Sequence, residues 1–217
     1  MTKHKEDEPI ELEVMPHIIP LDPRAIEDLP ASNRETWIVE TKYDGDRIIL
    51  YIPIGGPVRM MTRGGSNVAS NFPEFAPGFA QIAQNHSVIL DAELIVGQGK
   101  KGTGPAATAR LFARPRPVTD PRAQSAMLMV FDTMYKDGNS LLLTPLATRK
   151  KHLHEIITPE IAAFYGIFEV SYFDGIAMET VSDVAKENGF EGIVLKRKRS
   201  IYSQRGGKSP HWLKYKF

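Results

Sequence analysis

The chain has 217 residues, 42% of them hydrophobic and 24% charged, with a formal net charge of +1. That length buries a sizeable core in one large domain or two small ones. The lack of cysteine excludes disulfides, thiolate metal sites and a cysteine nucleophile, and fits a cytoplasmic protein.

No stretch is long and apolar enough to predict a membrane-spanning helix, and Met1 to Glu13 is too charged for a secretory signal. The net charge hides an asymmetry. Residues 1–36 hold four Lys/Arg and nine Asp/Glu, a net of −5, whereas residues 191–217 hold eight Lys/Arg and one Glu, a net of +7. A basic stretch of this kind suits phosphate-rich partners, or is simply a solvated basic hairpin.

Residues 1–13 are polar and aperiodic and are expected to be disordered. A proline-punctuated segment runs on to Pro30, so residues 1–30 form an N-terminal segment and residues 31–217 the main domain. From Trp37 the pattern becomes strand-like. Residues 37–42 and 47–52 flank Tyr43-Asp44-Gly45-Asp46, which predicts a hairpin. Val58 to Arg63 continues the sheet after a Gly-Gly-Pro turn.

Phe72, Phe75, Phe79 and Ile82 recur at helical spacing, with a start as late as Pro77. Val88 to Val96 predicts a strand carrying Asp91 and Glu93. Residues 97–125, rich in Gly, Pro, Arg and Ala, read as an irregular, mobile insertion with a short helix at 106–112. Ala126 to Tyr135 is again a strand. Thr144-Pro145 reads as an N-cap and first-turn pair before a helix carrying Leu146, Leu153 and Ile157. Phe164 to Phe173 predicts a strand, and Thr180-Val181-Ser182-Asp183 a capping box for a helix stopping at Asn188-Gly189. Strands at 192–198 and 212–217 finish the chain. Mixed elements with hairpin-type links predict an α+β fold with mainly antiparallel sheets.

Several positions carry the side chains that chemistry needs. Lys42 ends an apolar strand beside a tight turn; burial or nearby cations would free its lone pair for attack, and the alternative is a snorkelling strand-end lysine. Asp91 and Glu93 lie two apart on one strand face, either paired with cations or holding a sugar hydroxyl and Mg²⁺. Glu191 and Lys196 are five apart and face opposite ways in a regular strand, unless Gly192 breaks it. Lys214 and Lys216 share one face beside aromatics, as a phosphate-binding surface requires. Phe131 is either core or a base-stacking platform.

The ordered set Lys42-Tyr-Asp-Gly-Asp-Arg47, Thr62-Arg63-Gly-Gly, Leu90-Asp-Ala-Glu93-Leu, Val130-Phe131-Asp132, Glu191-Gly-Ile-Val-Leu-Lys196 and Trp212-Leu-Lys214-Tyr-Lys216 resembles the adenylation domain of ATP-dependent DNA ligases. The likeness covers the chain from Glu40 to Lys216. It implies an ATP-grasp-like nucleotidyltransferase fold, two mainly antiparallel sheets flanked by helices with a nucleotide cleft between them. It also implies that Lys42 attacks the α-phosphate of ATP to form a lysyl–AMP adduct.

By the same resemblance, Glu40 and Thr41 would meet the adenine, and Arg47 and Arg63 the ribose or phosphates. Glu93 would bind ribose, Phe131 would stack on the base, and Lys196, Lys214 and Lys216 would contact the triphosphate. Glu93 and Glu191 would hold Mg²⁺, and Arg149 matches a basic position in the helix after the stacking motif. AMP would then pass to the 5′-phosphate of nicked double-stranded DNA for sealing in repair, replication or recombination. No membrane partner is implied; the location would be cytoplasmic, with the nucleoid in a prokaryote.

Two departures stand out. Ala92 replaces the family's usual glycine, which matters only if the backbone there needs φ > 0. The chain also stops at Phe217, before the OB-fold domain that family members carry. That domain is expected to be absent or supplied by a separate polypeptide, with a DNA-repair protein as a further partner. RNA ligases and capping guanylyltransferases are the nearest alternatives, and a non-catalytic nucleotide- or DNA-binding module is the third.

Overall fold

The computed structural model describes residues 18–21, 36–113, 125–175, 178–202 and 207–217. The predicted disorder of residues 1–13 lies outside these. The strands are β1 (Ile18–Leu21), β2 (Trp37–Lys42), β3 (Asp46–Ile52), β4 (Arg59–Thr62), β5 (Val88–Val96), β6 (Ala126–Lys136), β7 (Asn139–Ser140), β8 (Ile167–Glu169), β9 (Tyr172–Asp174), β10 (Gly192–Arg197) and β11 (Gly207–Lys216). The helices are α1 (Ala76–Ala83), α2 (Gly104–Phe112), α3 (Leu146–Ile156), α4 (Pro159–Tyr165) and α5 (Met178–Glu187).

Two sheets result. One has the order β1-β11-β10-β2-β9, the other β4-β3-β5-β6-β7 with β8 added beside β6. Among the described residues only the β1–β11 and β6–β8 pairs are parallel. The expected α+β fold with two mainly antiparallel sheets is what forms. Among the described residues no helix is long and apolar enough to cross a membrane.

Period-two alternation explains the layering. In β3, Ile48, Leu50 and Ile52 pack with Phe79 and Ile82 of α1, Leu153 and Ile156 of α3 and Ile161 of α4. The intervening Ile49 and Tyr51 face the other way and meet Trp212 of the first sheet. The second sheet is therefore buried on both faces. The outer face of the first sheet packs Val39, Ile193 and Leu195 against Val181 and Ala185 of α5. Each such buried Val, Ile or Leu contributes about 1.5–3 kcal/mol.

The predicted hairpin at residues 43–46 does not form. β2 pairs with β10 and β9, and β3 with β4 and β5, so the Lys42-to-Asp46 segment crosses between sheets. The reason lies at Gly45, which is not among the positive-φ residues that a tight hairpin turn would need. It is small because a Cβ there would sit 2.1 Å from the Leu94 carbonyl oxygen.

A second crossing replaces the strand expected at 164–173. Thr158 caps α4 by accepting from the Ile161 amide, and Gly166 ends it at φ 65°. Phe164 is thus helical; β8 then joins one sheet and β9 the other. Thr144 is no N-cap. The first amides of α3, Leu146 and Ala147, donate to the carbonyls of Ser200 and Lys198 instead. The expected capping box at 180–183 lies inside α5, which begins by Met178. The short helix expected at 106–112 forms as α2 and builds residues 97–113 into the fold, whereas residues 114–124 of the expected irregular insertion lie outside the described residues. Ala92 is fully buried in β5 at ordinary φ, so its replacement of glycine is harmless.

Candidate active site

The inward faces of β2, β10 and β11 meet those of β3, β5 and β6 around a cleft of about 210 Å³. Nine sequence-predicted residues line it: Glu40, Thr41, Lys42, Arg47, Arg63, Glu93, Phe131, Lys196 and Lys214. Register explains the clustering. Glu40, Val194 and Lys214 form one row across three strands, as do Lys42, Gly192 and Lys216. A larger hollow of about 390 Å³ lies beside α1, but its lining is almost entirely apolar, with Gln84 the exception, and holds none of these residues.

Lys42 is half-buried and its ammonium contacts the Glu191 carboxylate. The second Glu191 oxygen contacts Lys216. Glu191 and Lys216 are outside the cleft lining, yet this bridge ties both to Lys42. Strand parity alone turns Glu191 away. The structure brings it back because Glu191 precedes β10, with its amide donating to the Lys42 carbonyl and its carbonyl accepting from the Phe217 amide. Gly192 leaves the space between the two lysines open, and a Cβ there would lie 1.9 Å from the Tyr215 carbonyl oxygen.

Glu40 is 2% exposed. Its Oε1 lies 2.6 Å from Lys150 Nζ, and its Oε2 lies 2.6 Å from Lys196 Nζ. The Lys150 contact is an ion pair outside hydrogen-bonding geometry. Lys196 lines the cleft, whereas Lys150 comes from α3 behind it. Burial lowers the Lys196 pKa, against the opposing pull of Glu40. The Lys196 ammonium also sits 4.3 Å from the Phe131 ring centre and 4.2 Å from that of Trp212.

Phe131 faces the cleft because β6 is irregular there. Asp91 pairs with Asp132 and Ala92 with Val130, leaving Phe131 as the extra residue of a bulge. Its ring packs edge-on against Trp212 at 6.1 Å.

Asp91 and Glu93 share a face, as expected, but divide in role. Asp91 is fully buried; it receives the Arg47 guanidinium and the Tyr202 hydroxyl. Arg47 is therefore oriented from behind while it borders the cleft. No hydrogen bond or ion pair fastens the Glu93 carboxylate among the described residues. Burial pushes its pKa up to about 7, against the attraction of Lys42 and Arg47. Burial, then neighbouring Lys216, lowers the Lys214 pKa.

Among the described residues no three His, Asp or Glu side chains cluster as a metal cage. The donor set instead fits Mg²⁺, which takes one or two carboxylates and completes its shell with water and phosphate oxygens. Glu93, a partly buried carboxylate with no cation in direct contact among the described residues, is the better placed; both oxygens of Glu191 face lysines.

Arg149 does not reach the cleft. Its guanidinium forms a bidentate pair with Asp132 at 2.7 and 2.8 Å, and both side chains are fully buried. It also donates to the carbonyls of Thr144 and Ser200. Although burial raises the Asp132 pKa, Arg149 holds it below the usual carboxylate range. This pair joins α3 to β6 and is structural.

The family described as the ATP dependent DNA ligase domain matches residues 22–216. The chain belongs to that family. A DNA ligase-like protein from a Bacillus subtilis prophage, LigB, is 32% identical over 84% of this chain and 62% of its own length. A DNA ligase of Methanoculleus marisnigri is 31% identical over 82% of the chain and 31% of its own length. The ligase domain of M. tuberculosis LigD superposes with a TM-score of 0.69 at 25% identity, covering 93% of this chain and 59% of that one. The ligase-family chain thus spans less than two thirds of each of these relatives.

Residue-by-residue reading missed four members of the ligase-family cleft: Tyr43, Val170, Val194 and Trp212. Trp212 and Val194 were findable, since each lies two residues from a predicted lysine on the same strand face. Val170 carries no signal, because it enters through the crossing between β8 and β9. Lys150 gives none either, as one lysine among three basic residues on α3.

Proposed function

We propose that this chain is the nucleotidyl-accepting core of an ATP-dependent DNA ligase, with Lys42 as the nucleophile. The observation that carries the reading is the position of Lys42. Its ammonium is paired with Glu191 at the border of a cleft that also presents Arg47, Arg63, Lys196 and Lys214. Nucleotidyl transfer needs charge neutralised around phosphorus and in-line placement more than elaborate acid–base chemistry.

In the first step the Lys42 amine attacks the α-phosphorus of ATP. The new N–P bond forms as the bond to pyrophosphate breaks, and the lysine proton departs with solvent. Phe131 offers a face for the base, and the Glu40 carboxylate accepts from an exocyclic amino group. Arg47, Arg63 and Lys214, which line the same cleft, would contact the phosphate oxygens. Mg²⁺ bound by Glu93, with Glu191 as a second carboxylate, would neutralise charge on the departing pyrophosphate.

In the second step the 5′-phosphate of a nicked duplex takes AMP from Lys42. In the third the 3′-hydroxyl attacks and releases AMP. We place the protein in the cytoplasm with DNA, and assign the gripping of the duplex to an OB-fold domain from elsewhere in the polypeptide or from a partner.

Intact-mass measurement after incubation with ATP and Mg²⁺ tests the first step. The expected gain is one AMP, reversed by pyrophosphate and absent in Lys42→Ala. A chain that binds ATP, gains no mass and fails to seal a pre-adenylated nick would be a binding module instead. A GMP adduct from GTP in preference to AMP would place it with capping enzymes.

A further inference from the structure

We propose that residues 99–104 are a positioning clasp for Lys42, with Thr103 as its principal side chain. The proposal rests on the assignment of Lys42 as nucleophile. Three contacts join this segment to Asp44, two residues beyond Lys42. The Asp44 amide donates to the Gly99 carbonyl at 2.9 Å. The Gly102 amide donates to Asp44 Oδ2 at 2.6 Å. Thr103 Oγ1 lies 3.0 Å from the Asp44 carbonyl oxygen and 2.7 Å from that of Lys100, a hydroxyl shared between the two.

The same segment grips the turn that leads to Glu191. The Lys101 amide donates to the Gly189 carbonyl at 2.9 Å, and Lys101 Nζ donates to the Phe217 carbonyl at 2.5 Å. Phe217 in turn donates its amide to the Glu191 carbonyl. One short stretch thus fixes the spacing between Asp44, which follows the end of the strand carrying Lys42, and the turn that leads to Glu191, the partner of Lys42 in the ion pair.

The glycines are part of the device. A Cβ on Gly99 would lie 2.9 Å from the Tyr43 ring and 2.8 Å from Ile95, and one on Gly104 would lie 2.5 Å from Asp44 Oδ1. Downstream, Thr108 Oγ1 of α2 donates to Asp46 Oδ2 at 2.6 Å, so α2 continues the hold along the crossing. None of residues 99–104 lines the cleft. The segment acts through Asp44 and Glu191 and leaves nucleotide binding to other residues.

Thr103→Val removes the hydroxyl at constant shape, and Thr103→Ser restores it. In single-turnover AMP transfer to Lys42, Thr103→Val should lower the rate at saturating ATP about ten-fold or more, because small displacements of a nucleophile are costly. The ATP concentration for half-saturation should stay unchanged, and Thr103→Ser should recover the rate. Gly104→Ala, which displaces the Asp44 carboxylate from the other side, should act in the same direction.

A raised half-saturation with an unchanged maximal rate would overturn the proposal, as would a Thr103→Ser variant no better than Thr103→Val. Amide hydrogen exchange reads the clasp without any adduct. The Asp44 amide should exchange faster in Thr103→Val and as in the parent for Thr103→Ser. If the parent forms no AMP adduct, the nucleophile assignment falls, while unchanged Asp44 exchange would still refute the clasp.

Discussion

Lys150 holds Glu40 from behind the cleft while Lys196 holds it from the front. Glu40 is the acid in direct contact with both lysines, while buried Asp132 attracts them from further away. With Lys150 in place, Lys196 can exchange Glu40 for an incoming phosphate without leaving a buried carboxylate unpaired. Lys150→Met should therefore tie Lys196 to Glu40. Equilibrium titration should show ATP binding about ten-fold weaker, equivalent to about 1.4 kcal/mol. Lys150→Met with unchanged ATP affinity would remove Lys150 from this role.

The bridge from Glu191 to Lys42 and Lys216 sets a second expectation. Glu191→Gln leaves two lysines around a neutral amide and removes the charge that orients Lys42. AMP transfer to Lys42 should slow on the order of 100-fold, the scale expected when a reacting group loses its orientation. Lys216→Met keeps the Lys42–Glu191 contact and should slow the step less. Equal losses in the two variants, read by intact-mass time courses, would contradict this ranking.

Glu93 gives the pH dependence of stability. Its pKa in the folded chain is about 7, against an ordinary 4.5, because burial outweighs Lys42 and Arg47. Between those values the folded state keeps a proton that the unfolded state has released. Stability from this group therefore falls as pH rises from about 4.5 to about 7. Glu93→Gln abolishes that dependence. Its advantage over the parent in urea unfolding should widen between pH 5 and pH 8, to at most about 3 kcal/mol. Parallel pH profiles for the two proteins would show that Glu93 titrates normally.

Some of this architecture is legible in the chain and some is not, for physical reasons. β2, β3, β5 and β6 show themselves because β-branched and apolar residues run through them, and Lys214 and Lys216 share a face by simple parity. The crossing at Gly45 is hidden. Its glycine answers a close approach to Leu94, and sequence cannot distinguish that need from a positive φ. α4 is masked because Ile161, Phe164 and Tyr165 favour strands as readily as helices, and only Thr158-Pro159 marks its start. The split between Asp91, locked to Arg47, and Glu93, left facing the cleft, depends on Tyr202, 111 residues from Asp91.

The pairing of Asp132 with Arg149 is another long-range fact, and it predicts a stability effect separate from chemistry. Both side chains are fully buried, and Arg149 additionally ties down two carbonyls at the start of α3 and after β10. Arg149→Met leaves the Asp132 carboxylate uncompensated in the core. The expected loss is about 3–5 kcal/mol in chemical unfolding. Arg149→Met combined with Asp132→Leu removes both charges and should recover part of that loss, because the stranded carboxylate is gone. ATP affinity, measured on whatever fraction stays folded, should be close to that of the parent, since neither side chain lines the cleft. A double variant as unstable as the single one would mean that the carbonyl contacts to Thr144 and Ser200, rather than the ion pair, hold α3 in place.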